Sequence, residues 1–341
     1  MNGEKSAIAI PSYEECLGIE GPYFGNLVFG HIDDKHPGEF ERIELKVKIV
    51  ADGSEEIVTG DHVRGRTVYV MHQFMKGIGP SRHVMIATET SDNLHRSDAE
   101  DVILFDLYNP YDSYDKRKGK QSLNARLVAD KYAAAHIDRV FKVEPHSDEL
   151  VNAYGLDCPL EPLPSQIALA KHFRESYELG DVTVCSPDIG GYSRAEVFAD
   201  LLNAKLIGLR KKRSTEVADE TKVLGIVGER EDIEGRMILL RDDVIRTAGS
   251  LKGAMNVLDE YGARGYYVVA THLSLDGDAR KTIANSNIKK VIGTNTIHQT
   301  FSGEGSGIYD VLDISPIIAE VVYRRSTGKS IGRYFDKFQR E

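Results

Sequence analysis

The sequence predicts an α/β protein of two domains, each a mostly parallel β-sheet flanked by helices. Its 341 residues, 41% of them hydrophobic, are enough to bury two cores. From about Thr67, short β-branched apolar runs alternate with segments of helical period, as in parallel strands joined by crossover helices. Three prolines within 156–164 separate two such regions and place the predicted boundary between domains 1–163 and 164–341.

Short runs of three to six residues, rich in apolar side chains, predict the strands, and apolar residues three or four positions apart predict the helices. In the first half, the predicted elements are strands at Thr67–His72, 102–107 and Arg139–Val143 and a helix at 123–135. In the second half, they are strands at 182–185, 205–209, 237–240, 266–270 and 290–292 and helices at 167–178, Tyr192–Leu202 and 251–261.

Bulk properties exclude several classes of function. A formal net charge of −10 disfavours nucleic acid as the main partner. The three cysteines, Cys16, Cys158 and Cys185, are too far apart for a disulfide framework or a zinc cluster, which indicates a reducing compartment. The first 20 residues lack the pattern of a signal peptide, and no stretch approaches the roughly 18 apolar residues of a membrane span. We therefore expect a cytoplasmic protein with no membrane partner.

The most informative segment is 237–250, in which a strand leads through an acidic pair and a Thr-x-Gly-Ser turn into a helix. Asp242 and Asp243 would accept hydrogen bonds from a vicinal diol such as that of ribose. Backbone N–H groups at the helix N-terminus would hold a phosphate. The predicted ribose-phosphate site therefore consists of Asp242, Asp243, Thr247, Ala248, Gly249 and Ser250. A polar turn with an N-cap is the alternative, but the order of these features is more restrictive than such a turn requires.

This segment resembles the loop of type I phosphoribosyltransferases that binds phosphoribosyl diphosphate (PRPP). Other motifs point to one family among their relatives: 63–65, 186–191, 271–272, 294–296 and 313–315. Together they resemble ribose-phosphate diphosphokinase, also called PRPP synthetase, over residues 40–334. The resemblance implies two phosphoribosyltransferase-like domains and transfer of the diphosphoryl group of ATP to ribose 5-phosphate, which gives PRPP and AMP.

The transfer needs cations, because it joins a hydroxyl to a phosphorus surrounded by anionic oxygens. The basic stretch 209–214 follows a predicted strand and resembles the family's flexible catalytic loop. By position in that motif, Lys211 and Arg213 are the expected catalytic residues. A solvated basic run at the end of a strand is the alternative.

The resemblance also implies a Mg²⁺ cofactor. His146 in Glu-Pro-His-Ser matches the histidine of the family's Asp-Leu-His motif, and Asp188 matches the acid of its Pro-Asp-x-Gly-Gly motif. Both are expected metal ligands, and phosphate and water oxygens would complete the shell. Gly190 and Gly191 would let the backbone approach a diphosphate, although a tight turn explains them equally well.

The chain departs from the family pattern on the nucleotide side. An Arg-Gln-Asp triplet usually follows a tyrosine there, but this chain reads Tyr-Asp-Ser-Tyr-Asp over 111–115 and keeps only Asp115. The family's Phe-x-Asn-x-Glu element, which reaches the nucleotide of a neighbouring subunit, retains Phe40 and Glu44, with Arg42 as a possible replacement cation. The residues expected to bind ATP are Phe40, Glu44, Asp115 and His146. The element also implies a homo-oligomer.

Two further departures concern the sugar side and the first domain. Arg246 stands at the second acidic position of the ribose loop, which indicates either an extra phosphate contact or a shift away from catalysis. Residues 51–59 have the character of an insertion.

Three functions remain open from the sequence. The first is a synthetase with divergent ATP recognition. The second is a non-catalytic paralogue that binds and regulates an active synthetase, which the lost Arg-Gln pair would explain. The third is a phosphoribosyltransferase acting on a base, which rests on the ribose loop alone. Loop motifs for a nucleophile elbow, a Walker A phosphate site or a zinc protease are absent from the sequence.

Overall fold

The computed structural model describes residues 5–13, 23–117, 119–178, 180–213, 221–301, 305–332 and 334–335. The chain divides into two compact units. Unit 1 contains the residues up to Pro164 together with Thr296–Gln299 and Asp313–Phe335, and unit 2 contains Ser165–Asn295 and Thr300–Leu312.

Unit 1 is built on a mostly parallel sheet to which seven strands of the described chain contribute, in the order β3-β2-β1-β4-β6-β7-β8. The strands are β1 Ala7–Ser12, β2 Glu41–Ile49, β3 Glu55–Thr59, β4 Thr67–His72, β6 Asp101–Asp106, β7 Arg139–Val143 and β8 Leu160–Leu163. Only the edge strand β3 is antiparallel to its neighbour. Two short strands, β5 Phe74–Met75 and β15 Ile297–His298, pair separately.

Helices cover the sheet of unit 1 because its central strands are apolar on both faces, as parallel strands usually are. They are α1 Phe24–Lys35, α2 Pro80–Arg96, α3 Asn124–Ala134, α4 Asp148–Ala153 and, from late in the chain, α9 Ser315–Ser326. A 3₁₀ turn, Pro110–Ser113, follows β6. Val70 and Leu104 pack with Val84 of α2 and Val128 of α3 in one buried cluster, and α9 packs against α1.

Unit 2 repeats the same strand order as β11-β10-β9-β12-β13-β14-β16 among the described residues. The strands are β9 Val182–Ser186, β10 Lys205–Arg213, β11 Thr221–Val227, β12 Met237–Ile245, β13 Gly265–Leu273, β14 Ile288–Thr294 and β16 Tyr309–Leu312. Here the edge strand β11 is the antiparallel one.

Helices also cover both faces of the second sheet: α5 Gln166–Ser176, α6 Tyr192–Leu202, α7 Gly249–Glu260 and α8 Ala279–Ala284. Side chains alternate between the faces of a strand. Ile238 and Leu240 therefore pack in one cluster with Leu258 of α7, while Leu239 packs in the other with Phe173 and Phe198. The apolar residues of β12 thus pack into two cores, one on each face of the sheet. This packing fixes the position of the acidic residues near the carboxyl end of the strand.

The fold class predicted from the sequence, two mostly parallel sheets flanked by helices, is confirmed. The predicted domains 1–163 and 164–341 stay a prediction. The compact units differ from them because 296–299 and 313–335 belong to unit 1. The proline-rich segment 156–164 also contains strand β8. Pro162 is tolerated in β8 because β8 is an edge strand, where one side needs no N–H donor.

Within the described ranges, helices are too short or too polar to cross a lipid bilayer. Cys158 and Cys185 are buried and form no disulfide among the described residues, and Cys16 lies outside those residues. A cytoplasmic location stays a prediction.

Candidate active site

The strand order of unit 2 reverses direction between β9 and β12, which are hydrogen-bonded neighbours. In open parallel sheets, ligands bind beyond the carboxyl ends of the strands at such a switch point. Asp188 follows β9, and Asp242 and Asp243 lie near the end of β12. The structure thus brings these three sequence-predicted carboxylates to one edge of one sheet.

Asp242 and Asp243 differ in their surroundings although they are adjacent. Asp243 is 4% exposed and Asp242 is half-buried, and the Asp243 amide donates a 2.9 Å hydrogen bond to Asp242 Oδ1. Burial, together with the negative charges of Asp243 and then Asp188, holds the pKa of Asp242 well above its usual range. The site therefore has excess negative charge that hydroxyl donors or a cation would relieve.

The loop between β9 and α6 closes as a tight turn around Asp188. Asp188 Oδ1 accepts a 2.9 Å hydrogen bond from the Gly191 amide, and Ser186 Oγ donates to the Asp188 carbonyl oxygen at 2.6 Å. A Cβ atom on Gly191 would lie 3.2 Å from Ser186 Oγ, so a larger residue would press on this turn. One oxygen of the predicted metal ligand is thus used to form the turn.

Arg194, in the first turn of α6, is a site residue that the sequence reasoning missed. Its guanidinium lies 3.7 Å from Asp243 Oδ1, and its side chain is 22% exposed. The sequence contained a signal for Arg194. It lies three residues after the paired glycines, in the first turn of the helix that follows the Asp188 loop, so it could be expected near that loop. Arg194 partly balances the acidic group.

The Thr-Ala-Gly-Ser turn lies where the sequence placed it. Helix α7 begins at Gly249, and Ala248 precedes it with a left-handed φ of 60°. Thr247, Gly249 and Ser250 are exposed, whereas Ala248 is 4% exposed and anchors the turn. Because first-turn N–H groups point out of a helix without internal acceptors, this turn offers donors to an anion.

A buried cation supports the acidic strand from within unit 2. Arg241 is 1% exposed, and its guanidinium lies over the Phe198 ring at 5.4 Å from the centroid. It donates to the Asp242 carbonyl oxygen and, at 3.5 Å, to Thr271 Oγ1. Thr271 in turn accepts from Thr294 Oγ1 at its carbonyl oxygen, 2.7 Å away. Thr271 and Thr294, the first residues of the predicted motifs at 271–272 and 294–296, therefore belong to the hydrogen-bonded group that supports the acid pair.

The predicted loop position of Lys211 and Arg213 was wrong, and their catalytic role stays a prediction. The sequence placed them in a loop after a strand ending at Leu209, but β10 continues to Arg213. The reason is the antiparallel partner β11, whose Val223 and Thr221 pair with Lys211 and Arg213 across an irregularity after Arg210. The rest of the predicted loop, from Ser214, lies outside the described residues.

In unit 1, Asp115 and His146 lie on the loops after β6 and β7. These strands are adjacent and parallel, so their carboxyl ends meet at one edge. Ser147, the residue after His146, donates through Oγ to the Asp115 carboxylate. His146 also interacts electrostatically with Asp112. Asp112 lies two residues before Tyr114, which replaces one residue of the family's ATP-binding triplet. Two of the predicted nucleotide residues are thus brought together.

Phe40 and Glu44, predicted for the nucleotide of another subunit, have different environments. The Phe40 ring is 7% exposed and meets the Tyr69 ring edge-on, 6.3 Å between centroids. Glu44 is exposed on β2, and so is Arg42, whose Nε donates to Asn26 Oδ1 at 3.1 Å. Glu44, unlike Phe40, therefore has its side chain exposed to solvent.

The donor set suits a hard cation but does not form a complete protein shell. Across the described ranges, His, Cys, Asp and Glu side chains do not assemble in groups of three placed to hold a metal ion. The oxygen donors and the excess negative charge around Asp242 do fit Mg²⁺, which keeps waters and substrate phosphates as ligands. His146 is in unit 1 and Asp188 in unit 2, so their shared role as ligands stays a prediction.

Two family models match the sequence: the N-terminal domain of ribose phosphate pyrophosphokinase at residues 26–135, and the phosphoribosyl synthetase-associated domain at 204–336. A ribose-phosphate pyrophosphokinase of Corynebacterium efficiens is 30% identical over 300 residues, 87% of this chain and 90% of that protein. One from Caldanaerobacter subterraneus is 32% identical over 294 residues, 86% of this chain and 90% of that protein.

Similarity extends to solved structures. The crystal structure of phosphoribosylpyrophosphate synthetase from Mycobacterium smegmatis matches with a TM-score of 0.80 at 27% identity, covering 95% of this chain and all of that one.

Proposed function

Because the chain belongs to the ribose-phosphate pyrophosphokinase family, we propose that it transfers the β,γ-diphosphoryl group of ATP to the 1-hydroxyl of ribose 5-phosphate. The products are PRPP and AMP. The observation that carries the proposal is the switch point of unit 2, where an acidic pair adjoins an exposed turn at a helix N-terminus. That arrangement suits a sugar with adjacent hydroxyls and one phosphate.

The sugar binds through charge-assisted hydrogen bonds. Asp242 and Asp243 accept from the 2- and 3-hydroxyls of ribose, and the excess charge around Asp242 strengthens both bonds. The amides and hydroxyls of 247–250 hold the 5-phosphate at the positive end of α7. Arg246 adds a cation at the start of the turn.

The diphosphoryl group requires positive charge as it moves. Lys211 and Arg213 supply it from the end of β10, and a fixed guanidinium and a compact ammonium suit phosphoryl oxygens of different geometry. Asp188 and His146 are each proposed as Mg²⁺ ligands, and Mg²⁺ would neutralise charge on the nucleotide. The protein's own task is to position the two substrates and to exclude water.

ATP binds on the nucleotide side through Asp115 and His146. Phe40 and Glu44 are proposed to face the nucleotide of a second copy of the chain, Glu44 through its exposed carboxylate and Phe40 through the 7% of its surface that is exposed, so the active enzyme is a homo-oligomer. Glu44 and Arg42 are exposed on β2, which supports a contact outside the subunit. Light scattering on the purified protein tests this, and a strict monomer with full activity would contradict it.

The decisive experiment is a Mg²⁺-dependent assay of AMP formation from ribose 5-phosphate with a panel of nucleoside triphosphates. Lys211→Ala should lower turnover by about 100-fold while the calorimetric affinity for ribose 5-phosphate is unchanged. Lys212→Ala is the matched control, because it removes the same charge at the adjacent position, which the Lys-x-Arg motif does not assign to catalysis. A wild-type protein that forms no AMP from any donor would overturn the proposal.

A second candidate, a non-catalytic paralogue that regulates an active synthetase, is favoured by one feature. Ser113 and Tyr114 stand where the family carries arginine and glutamine, so this chain lacks the family's cation at that position. Losing a charged hydrogen bond to a polyphosphate costs about 1.5–3 kcal/mol. The paralogue predicts no AMP formation alone and a changed rate when mixed with an active homologue, whereas a self-contained active homo-oligomer excludes it.

A further inference from the structure

The carboxyl edge of the unit 1 sheet contains a buried charged network that the proposed reaction does not use. The Lys142 side chain, on β7, is 1% exposed, and its Nζ lies 2.7 Å from Asp106 Oδ2 and 3.1 Å from Asp112 Oδ2. Asp106 also accepts from His83 at 2.9 Å and from the Tyr132 hydroxyl at 2.9 Å. The network is therefore closed by the protein's own donors.

The position of Lys142 gives this network a connection to the nucleotide side. Its side chain binds Asp112, which lies in the 3₁₀ turn Pro110–Ser113, three residues before Asp115. Its backbone leads through Val143 and Glu144 into the loop that carries His146. One residue thus joins the two loops on which the proposed ATP contacts lie.

Two further contacts show how closely those loops are coupled. Ser147 Oγ donates to the Asp115 carboxylate, across the gap between the loops. Glu144 has a left-handed φ of 43° although it is not glycine, and its amide donates to the Leu163 carbonyl oxygen at 2.9 Å. A strained residue persists only where its surroundings fix it. The hydrogen bond to Leu163 is one of the contacts that fix Glu144.

Burial of an ion pair is weak evidence for stability, since apolar residues of similar volume often stabilise a protein as well. A buried lysine shared by two carboxylates does, however, fix the distance between the segments that carry them. Here one segment is the end of β6 and the other is the turn before Asp115.

We propose that Lys142 is a positioning residue for the donor nucleotide: its ammonium holds the turn that bears Asp115 at a fixed distance from the loop that bears His146. The inference rests on the proposed function, because it assigns those loops to ATP. It adds a residue that contacts neither substrate and acts through Asp112.

The sharpest variant is Asp112→Ala, which breaks the contact to the turn and leaves the Lys142–Asp106 pair intact. It should raise the KM for ATP by about tenfold and leave the KM for ribose 5-phosphate within about twofold. Asp112→Asn keeps an oxygen that accepts from Lys142, so it should retain most of the ATP affinity. Lys205→Met, which removes an exposed lysine paired with Asp232 in unit 2, is the control.

Amide hydrogen exchange provides a readout that does not need turnover. Asp112→Ala should speed exchange in both 109–117 and 144–150, because the two loops lose their common attachment. Faster exchange confined to 109–117, or equal rises in both KM values, would overturn the inference. If the wild-type protein forms no AMP, the proposed function fails, and the exchange pattern alone still decides whether Lys142 couples the loops.

Discussion

The two sheets have the same strand order, but the aspartates at their carboxyl edges differ in how far they are paired with cations and hydrogen-bond donors. In unit 2, Asp188, Asp242 and Asp243 meet with Arg194 as the nearby cation, and the pKa of Asp242 is raised. In unit 1, burial alone would raise the pKa of Asp106, yet Lys142 and His83 hold it well below its usual range. The difference teaches that the same scaffold can leave acceptors for a ligand or satisfy them internally.

The largest effect should come from Lys142→Met, which leaves Asp106 and Asp112 buried without their cation. We expect the free energy of unfolding in urea to fall by about 3–5 kcal/mol. Lys205→Met, an exposed counterpart, should change it by less than about 1 kcal/mol. If both variants lost equal stability, the unit 1 network would not be the satisfied cluster that the comparison assumes. Adding Asp106→Asn and Asp112→Asn to Lys142→Met should restore part of the loss.

Asp242→Asn tests the opposite edge, where function and stability should separate. Losing a charged acceptor should weaken ribose 5-phosphate binding by about 10- to 100-fold in calorimetry. The same change should raise the free energy of unfolding of the ligand-free protein at pH 7.5 by about 1 kcal/mol, because it removes a carboxylate whose pKa is raised. A variant that is less stable and binds normally would show that Asp242 is structural.

The pH dependence of Asp112 sharpens the account of the unit 1 network. Burial raises its pKa from 3.8 to about 6, against the lowering effect of Lys142. The folded state thus binds more protons through this group, so its contribution to stability is lost as pH rises through about 6. Relative to Asp112→Asn, the wild type should lose on the order of 2 kcal/mol between pH 4 and pH 7. A constant difference across that range would contradict the assignment.

Arg194→Gln should have the smallest effect. Its ion pair with Asp243 spans 3.7 Å and is partly exposed, so we expect a loss of roughly 0.5–1 kcal/mol in the free energy of unfolding. Because Arg194 partly balances the acidic group, 1 M salt should reduce that loss. A loss that is independent of salt would indicate packing of the arginine stem instead.

The sequence was sufficient where one element had a single strong pattern. Thr67–His72, Arg139–Val143 and Tyr192–Leu202 have the predicted bounds because apolar periodicity and flanking polar residues agree there. The end of β10 was wrong because its polar residues are held by β11, a partner that local periodicity does not reveal. Strand β8 was not predicted because Pro162 within it, with Pro159 and Pro164 beside it, is typical of a linker, although an edge strand tolerates proline.

The site followed the same rule. The sequence could place Asp242 and the turn at 247–250 together because strand, acids, turn and helix are contiguous in the chain, and their role in binding stays a prediction. Lys142 and Asp106 were missed because their contact joins positions 36 residues apart. A signal did exist, since each is a charged residue within or at the end of an apolar strand, where burial is expected and a charge needs a partner.

The return of α9 to unit 1 has a consequence for biosynthesis. Helix α1 precedes unit 2 in the sequence, yet the helix that packs on α1 comes from 315–326, and the His36 and Tyr323 rings stack at 3.5 Å between centroids. A ribosome must therefore synthesise most of unit 2 before unit 1 can complete its packing. Until then, the surface of α1 that packs on α9 in the native protein is uncovered, as apolar surfaces are in the folding intermediates of large chains.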